Sequence, residues 1–212
     1  VKHCLFLFAL VAAVTFSSCK GTERSLELSS IGFLPGGTVQ AIAVQADTVF
    51  VGVGDSLVVL DMTAPQDPRP IASLRLPARI TDIQIHQHHA FVTLYDSWNG
   101  IYIIDVSDLP RLTVTGMYQT EKIQDLVLNG DFLFLTQFSL SDDSVKNEIQ
   151  IYDISNLPAI LRVSTYEIGT DEDTSLGQMA SNGKYLFVDV FHFLPQPRQL
   201  QILDISAPTQ PK

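Results

Sequence analysis

The chain of 212 residues holds only two cysteines, Cys4 and Cys19, too few for a disulfide framework or for a zinc site with four protein ligands. Positive charge is scarce as well, with 13 Lys and Arg against 23 Asp and Glu and a formal net charge of −10. That balance excludes a nucleic-acid binder, whose footprint over phosphates is basic. Long apolar runs are missing too. The longest, Leu5–Val14 (LFLFALVAAV), spans about 15 Å as a helix, half of what a bilayer core of about 30 Å requires. No segment carries the 3.6-residue period of an amphipathic helix. No Ser-His-Asp arrangement, Gly-rich phosphate loop or other nucleophile signature is present. The chain is rich instead in turn formers, 12 Gly and 11 Pro, set among short apolar strings that suit strands.

Residues 1–18 read as a secretion signal. Lys2 supplies the positive n-region and Leu5–Val14 the apolar h-region. The next residues, Phe16-Ser17-Ser18-Cys19-Lys20-Gly21, lead small side chains into a cysteine. This resembles the lipobox of bacterial lipoproteins, with Phe16 where the commoner pattern has Leu. The resemblance implies that Cys4 leaves with the signal and that Cys19 is lipidated, so the mature chain has no disulfide. An ordinary signal peptide with a chance cysteine is the alternative. Two or more acyl chains, at about 0.8 kcal/mol per buried CH₂, anchor a protein stably. Loss of Lys2 leaves 12 basic against 23 acidic residues, a charge of −11. Residues 19–30 are polar and suit a tether, and Lys20 and Glu23 are similar to export signals of surface lipoproteins in some Gram-negative groups. The expected address is the bacterial cell envelope, lipid-anchored at the outer membrane or cell surface.

Residues 31–212 are organised by repeats. Four strings share one pattern: Ser56–Pro68 (SLVVLDMTAPQDP), Gly100–Leu112 (GIYIIDVSDLPRL), Glu148–Ile160 (EIQIYDISNLPAI) and Gln199–Pro211 (QLQILDISAPTQP). Their aspartates, Asp61, Asp105, Asp153 and Asp204, lie 44, 48 and 51 residues apart. Some twenty residues upstream of most lies a second element, with copies at Ile42–Val51, Ile83–Val92, Leu126–Leu135 and Met179–Val188. Each copy is two alternating apolar runs around a turn, most plainly Asn129-Gly130-Asp131 and Asn182-Gly183-Lys184, a strong hairpin signal. Hairpin, third strand, Pro-containing turn and a further extended stretch such as Ile71–Leu76 or Leu112–Tyr118 make four strands per 40–50 residues. That is the blade of a β-propeller. The fold class is therefore all-β, a propeller of four-stranded blades with four repeats. The fourth repeat ends at its turn, and Leu26–Phe33 stands before the first hairpin as Ile71–Leu76 stands before the second, so it can complete the last blade. A small four-bladed ring and a piece of a larger propeller both fit.

The strings LVVLDMTAP, IYIIDVSDLP, IQIYDISNLP and LQILDISAP also resemble LVIVD repeats of bacterial and archaeal cell-surface proteins. The resemblance covers nearly all of residues 39–211 and implies a propeller and an extracytoplasmic, often membrane-anchored protein. It carries over no catalytic residue set.

Few residues suggest chemistry. The repeated aspartates, each with Thr63, Ser107, Ser155 or Ser206 two residues on, are what a tight turn requires. Pro65, Pro110, Pro158 and Pro208 then stop the strand from pairing further. His86, His88 and His89 are the densest set of metal-ligand types, but they fall at a hairpin turn, and His192 lies two repeats away. Asp171-Glu172-Asp173-Thr174-Ser175 starts like a calcium loop, yet Leu176 stands where Gly is needed and Asn182 where Glu is needed. Residues 139–148, with Asp142, Asp143 and Glu148, read as a mobile acidic loop. Tyr95 and Trp98 are candidate contacts for sugar or protein, or packing over a blade edge. Asp82 and Asp125 precede the first strands of their blades, with Ala41 and Gln178 at the matching positions. First strands line a propeller's channel, so Asp82 and Asp125 are the candidate ligand-facing positions; hydrogen bonding between blades is the competing role. No catalytic residue and no metal ligand is assigned, and calcium is the one cofactor considered. The expected function is a non-enzymatic binding scaffold for an envelope protein or glycan. A propeller hydrolase or lactonase with a metal in the channel is the alternative.

Overall fold

The computed structural model describes residues 38–95, 100–120, 122–141, 144–169, 174–192 and 197–210. The signal (1–18), Cys19, the tether and Leu26–Phe33 lie outside them. Every regular element among the described residues is a strand. Blade 1 comprises β1 (Val39–Gln45), β2 (Thr48–Val53), β3 (Ser56–Asp61) and β4 (Arg69–Arg75). Blade 2 comprises β5 (Arg79–His86), β6 (His89–Tyr95), β7 (Gly100–Asp105) and β8 (Thr113–Gln119). Blade 3 comprises β9 (Lys122–Asn129), β10 (Phe132–Ser141), β11 (Ser144–Asp153) and β12 (Leu161–Gly169), and blade 4 comprises β13 (Thr174–Ser181), β14 (Tyr185–His192) and β15 (Gln199–Asp204). Each sheet is antiparallel with its strands in chain order, three of four strands and the last of three among the described residues. The first strands pack on one another, β1 on β5, β5 on β9 and β9 on β13. The described residues form four blades of a β-propeller.

The alternation of side chains along each strand gives every inner blade two apolar faces. Phe50, Leu57 and Val59 of blade 1 meet Val92, Leu94, Tyr102 and Ile104 of blade 2. From the other face of blade 2, Phe91, Ile101 and Ile103 meet Leu126, Leu133 and Leu135 of blade 3. Phe134, Ile149 and Ile151 of blade 3 in turn meet Leu186, Val188 and Leu203 of blade 4. The core is thus three layers between blades rather than one centre, which is why the apolar content is parcelled into strings of four to six residues. Gly52 marks a close approach of blades 1 and 2: a Cβ there meets Ile80 Cγ2 of blade 2 at 2.6 Å.

The two ends of each hairpin repeat the same wiring. At the tips, Gly130 (φ 55°) and Gly183 (φ 94°) take left-handed backbone, and Ala46 (φ 51°) and Gln87 (φ 52°) take it in blades 1 and 2 without glycine. The residue after each repeat aspartate donates its N–H to a hairpin tip: Met62 to Asp47 O, Val106 to His88 O, Ile154 to Asp131 O and Ile205 to Lys184 O. In the third repeat, residues 139–148 are not a loose loop. Ser139 pairs with Lys146 and Ser141 with Ser144, so the insertion lengthens the β10–β11 hairpin, where backbone pairing satisfies the added amides. Asp142 and Asp143 lie outside the described residues.

Candidate functional site

The first strands do not run straight into the channel. In β1 the pairing skips Gln40, in β5 Thr81, in β9 Gln124, and in β13 Gly177 and Gln178. A bulge lies at the same place in all four blades, and in blades 1 to 3 it brings two adjacent residues to the channel instead of one, the re-aiming that β-bulges produce beside binding sites. Consequently Asp82 and Asp125 lie within β5 and β9 rather than ahead of them. The bulged residues Gln40, Thr81, Gln124 and Gln178 join Asp82 and Asp125 in lining a cavity of about 660 Å³, with Thr93 and Tyr95 on its wall. Ala41 lies at the matching position of blade 1 and is buried.

The two carboxylates differ in their bonding. Asp82 Oδ1 accepts the Ile83 N–H at 2.8 Å, while its Oδ2 is buried and has no hydrogen-bond partner. Asp125 Oδ2 accepts the N–H of Met179 from the next blade. This bond serves the channel wall as well as any ligand. Burial pushes the Asp82 carboxyl above its ordinary range. Burial, with the Asp82 charge added, raises Asp125 from 3.8 to about 6, against the lowering effect of the Met179 and Leu126 N–H groups. Gln124 donates from Nε2 to Ser175 Oγ of blade 4 at 2.9 Å, and its Oε1 is buried without a partner. Thr81 and Thr93 share a hydroxyl hydrogen bond of 2.8 Å. Arg79 lies over the Tyr95 ring, 5.7 Å from its centroid.

The remaining candidates sit elsewhere. The carboxylates of Asp61, Asp105, Asp153 and Asp204 accept the N–H of Thr63, Ser107, Ser155 and Ser206 at 2.8–2.9 Å. Hydrogen bonds from those turn residues hold Asp61, Asp105 and Asp153 below the usual carboxylate range. His86 ends β5 and His89 opens β6, with His88 in the turn between them. His86 Nε2 lies 3.6 Å from Asp131 Oδ1 at the tip of blade 3. Gln45 donates to Gln87 O and Asn129 to Gly183 O at the equivalent places, so the residues before the tips of blades 1 and 3 clasp the next blade, whereas His86 Nε2 makes no hydrogen bond among the described residues. His192 Nδ1 is 3.2 Å from Thr174 Oγ1. Glu148 accepts from Gln150 Nε2 at 2.6 Å. Trp98 and Asp171–Asp173 lie outside the described residues. Among the described residues, no three His, Cys, Asp or Glu side chains gather as a metal-binding group.

The bulges left a trace in the sequence that strict alternation overlooks. Ile80 and Ile83, Ile123 and Leu126, and Leu176 and Met179 are spaced three apart, yet both members of each pair pack in the same interblade core. A regular strand puts such residues on opposite faces.

Comparison with known proteins follows the same lines. The sequence pattern of the LVIVD repeat matches residues 36–73, 80–120 and 179–212, more than half of the chain. Blade 3, with its lengthened hairpin, lies between the matched stretches. No curated protein matches the chain by sequence. Among solved structures, the chain is similar to the computationally designed Ika4 protein, with 13% identity and a TM-score of 0.54 over 84% of this chain and 99% of that one. It is also similar to a Bacteroides uniformis protein described as a candidate 6-phosphogluconolactonase, with 13% identity and a TM-score of 0.58 over 84% of this chain. A third is the β-propeller domain of Cps50 (Swd1) from Myceliophteria thermophila, with 12% identity, a TM-score of 0.51 and 77% of this chain covered. The chain spans 56% and 57% of those two natural chains. At such identities the likeness concerns the fold alone.

Proposed function

The chain belongs to the LVIVD-repeat family, and we propose that it is a cell-envelope lipoprotein whose propeller is a non-enzymatic binding module, taking its ligand at the channel mouth. The observation that carries the binding role is the bulge in every blade. Blades 1 to 3 each place two adjacent residues of the bulge at one cavity and blade 4 places Gln178 there, and the residues at the position of Asp82 vary, Ala41, Asp82, Asp125 and Gln178. A position needed only for folding serves each repeat equally with one residue type, as the repeat aspartates do. A position that reads an asymmetric ligand has to vary. The envelope address rests on the signal-like residues 1–18 and on Cys19, and anchoring by acyl chains at Cys19 presents the propeller to an envelope protein or glycan.

Two experiments test the reading. Cys19→Ala is expected to release the protein from the membrane fraction, and retention overturns the anchor. Gln178→Trp fills the cavity from an exposed lining position and is expected to abolish binding of ligands found on peptide and glycan arrays. Binding that survives the plug moves the function off the channel. Metal-dependent ester hydrolysis that the plug abolishes favours the hydrolase alternative instead.

A further inference from the structure

We propose that the group recognised in the channel cavity is an organic cation, a protonated primary amine on a molecule of about monosaccharide or amino-acid size; this rests on the reading of the channel mouth as a binding site. Two acceptors in the cavity wall are left over after the protein's own hydrogen bonds are counted. Asp82 accepts the Ile83 N–H at Oδ1 and the Gln84 side chain also favours its ionised form, while its Oδ2 is buried with no hydrogen-bond partner. Gln124 spends one of its two amide hydrogens on Ser175 and keeps Oε1 buried and unpartnered. A buried acceptor without a donor costs about 1–3 kcal/mol, more when it is charged. What the wall calls for is therefore a ligand rich in donors, and an ammonium offers three N–H donors and no acceptor.

The sign of the charge separates an amine from a neutral polyol. Asp82 and Asp125 both line the cavity, and among the described residues no Lys, Arg or His does. A cation beside them restores the opposite charge that burial otherwise denies them. Size separates an amine-bearing molecule from a bare metal ion. About 660 Å³ falls in the range of roughly 300–1,000 Å³ used for small organic ligands. Calcium, by contrast, takes six to eight oxygens drawn close around it. The described residues gather no set of three carboxylate, His or Cys ligands for one. Thr81, Thr93, Gln40, Gln178 and Tyr95 remain on the same wall to hold hydroxyl or carbonyl groups of the ligand body.

The test uses the full chain and calorimetry at pH 7.5 with glucosamine, lysinamide and spermidine, each beside its fully N-acetylated, uncharged form, and with calcium chloride alone. At least one amine is expected to bind, with acetylation at the amine weakening it tenfold or more. Asp82→Asn is expected to weaken binding by a similar factor, whereas Asp67→Asn, an exposed carboxylate paired with Arg69, leaves it unchanged. Gln124→Glu adds a carboxylate to the wall and is expected to tighten binding, so the test does not hang on one variant's folding. Equal binding of acetylated forms, or binding of calcium alone, overturns the cation while the cavity remains a binding site. Silence across the panel overturns the cation too, and Gln178→Trp on array ligands then decides the cavity separately.

Discussion

Replacing Asp125 by Asn probes the energetics of the channel directly. The folded chain holds the Asp125 proton more tightly than an unfolded chain does, its carboxyl being raised from 3.8 to about 6. Between those values the folded state binds more protons, so stability falls as pH rises through the interval. The contribution is fully present below about pH 4 and is gone above about pH 6. At about 1.36 kcal/mol per pH unit, ionisation of Asp125 costs the native fold about 3 kcal/mol at most at neutral pH. Asn cannot ionise and keeps an oxygen for the Met179 N–H. Asp125→Asn is therefore expected to be more stable than the parent at pH 8, by up to about 3 kcal/mol. In a domain of this size that is several degrees in Tm. The two proteins should converge below pH 4. Urea unfolding at pH 4, 5, 6, 7 and 8, extrapolated linearly to water, measures the difference. An Asn variant less stable than the parent at pH 8 refutes the reasoning, because the ionised carboxylate would then be stabilising the wall through Met179 and Leu126.

Other outcomes follow from the packing and the turns. Gly52→Ala places a methyl against Ile80 and is expected to cost about 1–3 kcal/mol by overpacking, read as a lower urea midpoint at unchanged slope. Phe134→Ala empties a fully buried position between blades 3 and 4 and is expected to cost about 3–5 kcal/mol. Asp153 is held below its ordinary range by bonds from Ser155; its contribution is present above about pH 4 and lost as the pH falls through its folded value. Asp153→Asn should thus lower Tm at pH 7 and narrow the gap to the parent at acid pH, and a gap that grows on acidification contradicts the turn.

Much of the fold is legible in the sequence because antiparallel blades solve a local problem. Strings such as Ile101-Tyr102-Ile103-Ile104 need a sheet buried on both faces, and Asn129-Gly130 supplies the left-handed turn that returns the chain. The repeat then marks the four blades of the described residues. The tips of blades 1 and 2 are less visible, since Ala46 and Gln87 take left-handed backbone without the glycine that announces it. The clasp at Gln45 and Asn129 is harder still, because two residue types do one job, and a residue-by-residue reading takes His86, at the same position of blade 2, for a metal-ligand candidate. Residues 139–148 mislead for a different reason. Their charge and serine content suit a loop, but a β-hairpin satisfies its backbone by pairing whatever its composition.

The candidate site is the least legible part, and the cause is geometric. Alternation places Asp82 and Asp125 before their strands, since Ile83 and Leu126 look like strand starts. One extra residue in the pairing carries each strand across the break, so Ile80 and Ile83 return to one face and Thr81 and Asp82 both leave it. The same insertion at Gln124 and Asp125 brings an amide into the channel beside a carboxylate, on a strand that otherwise shows the channel one side chain at a time. An expectation of two carboxylates thus becomes a wall of carboxylates, amides and hydroxyls. That chemistry suits a ligand held by its hydrogen-bond donors better than a metal held by its charge.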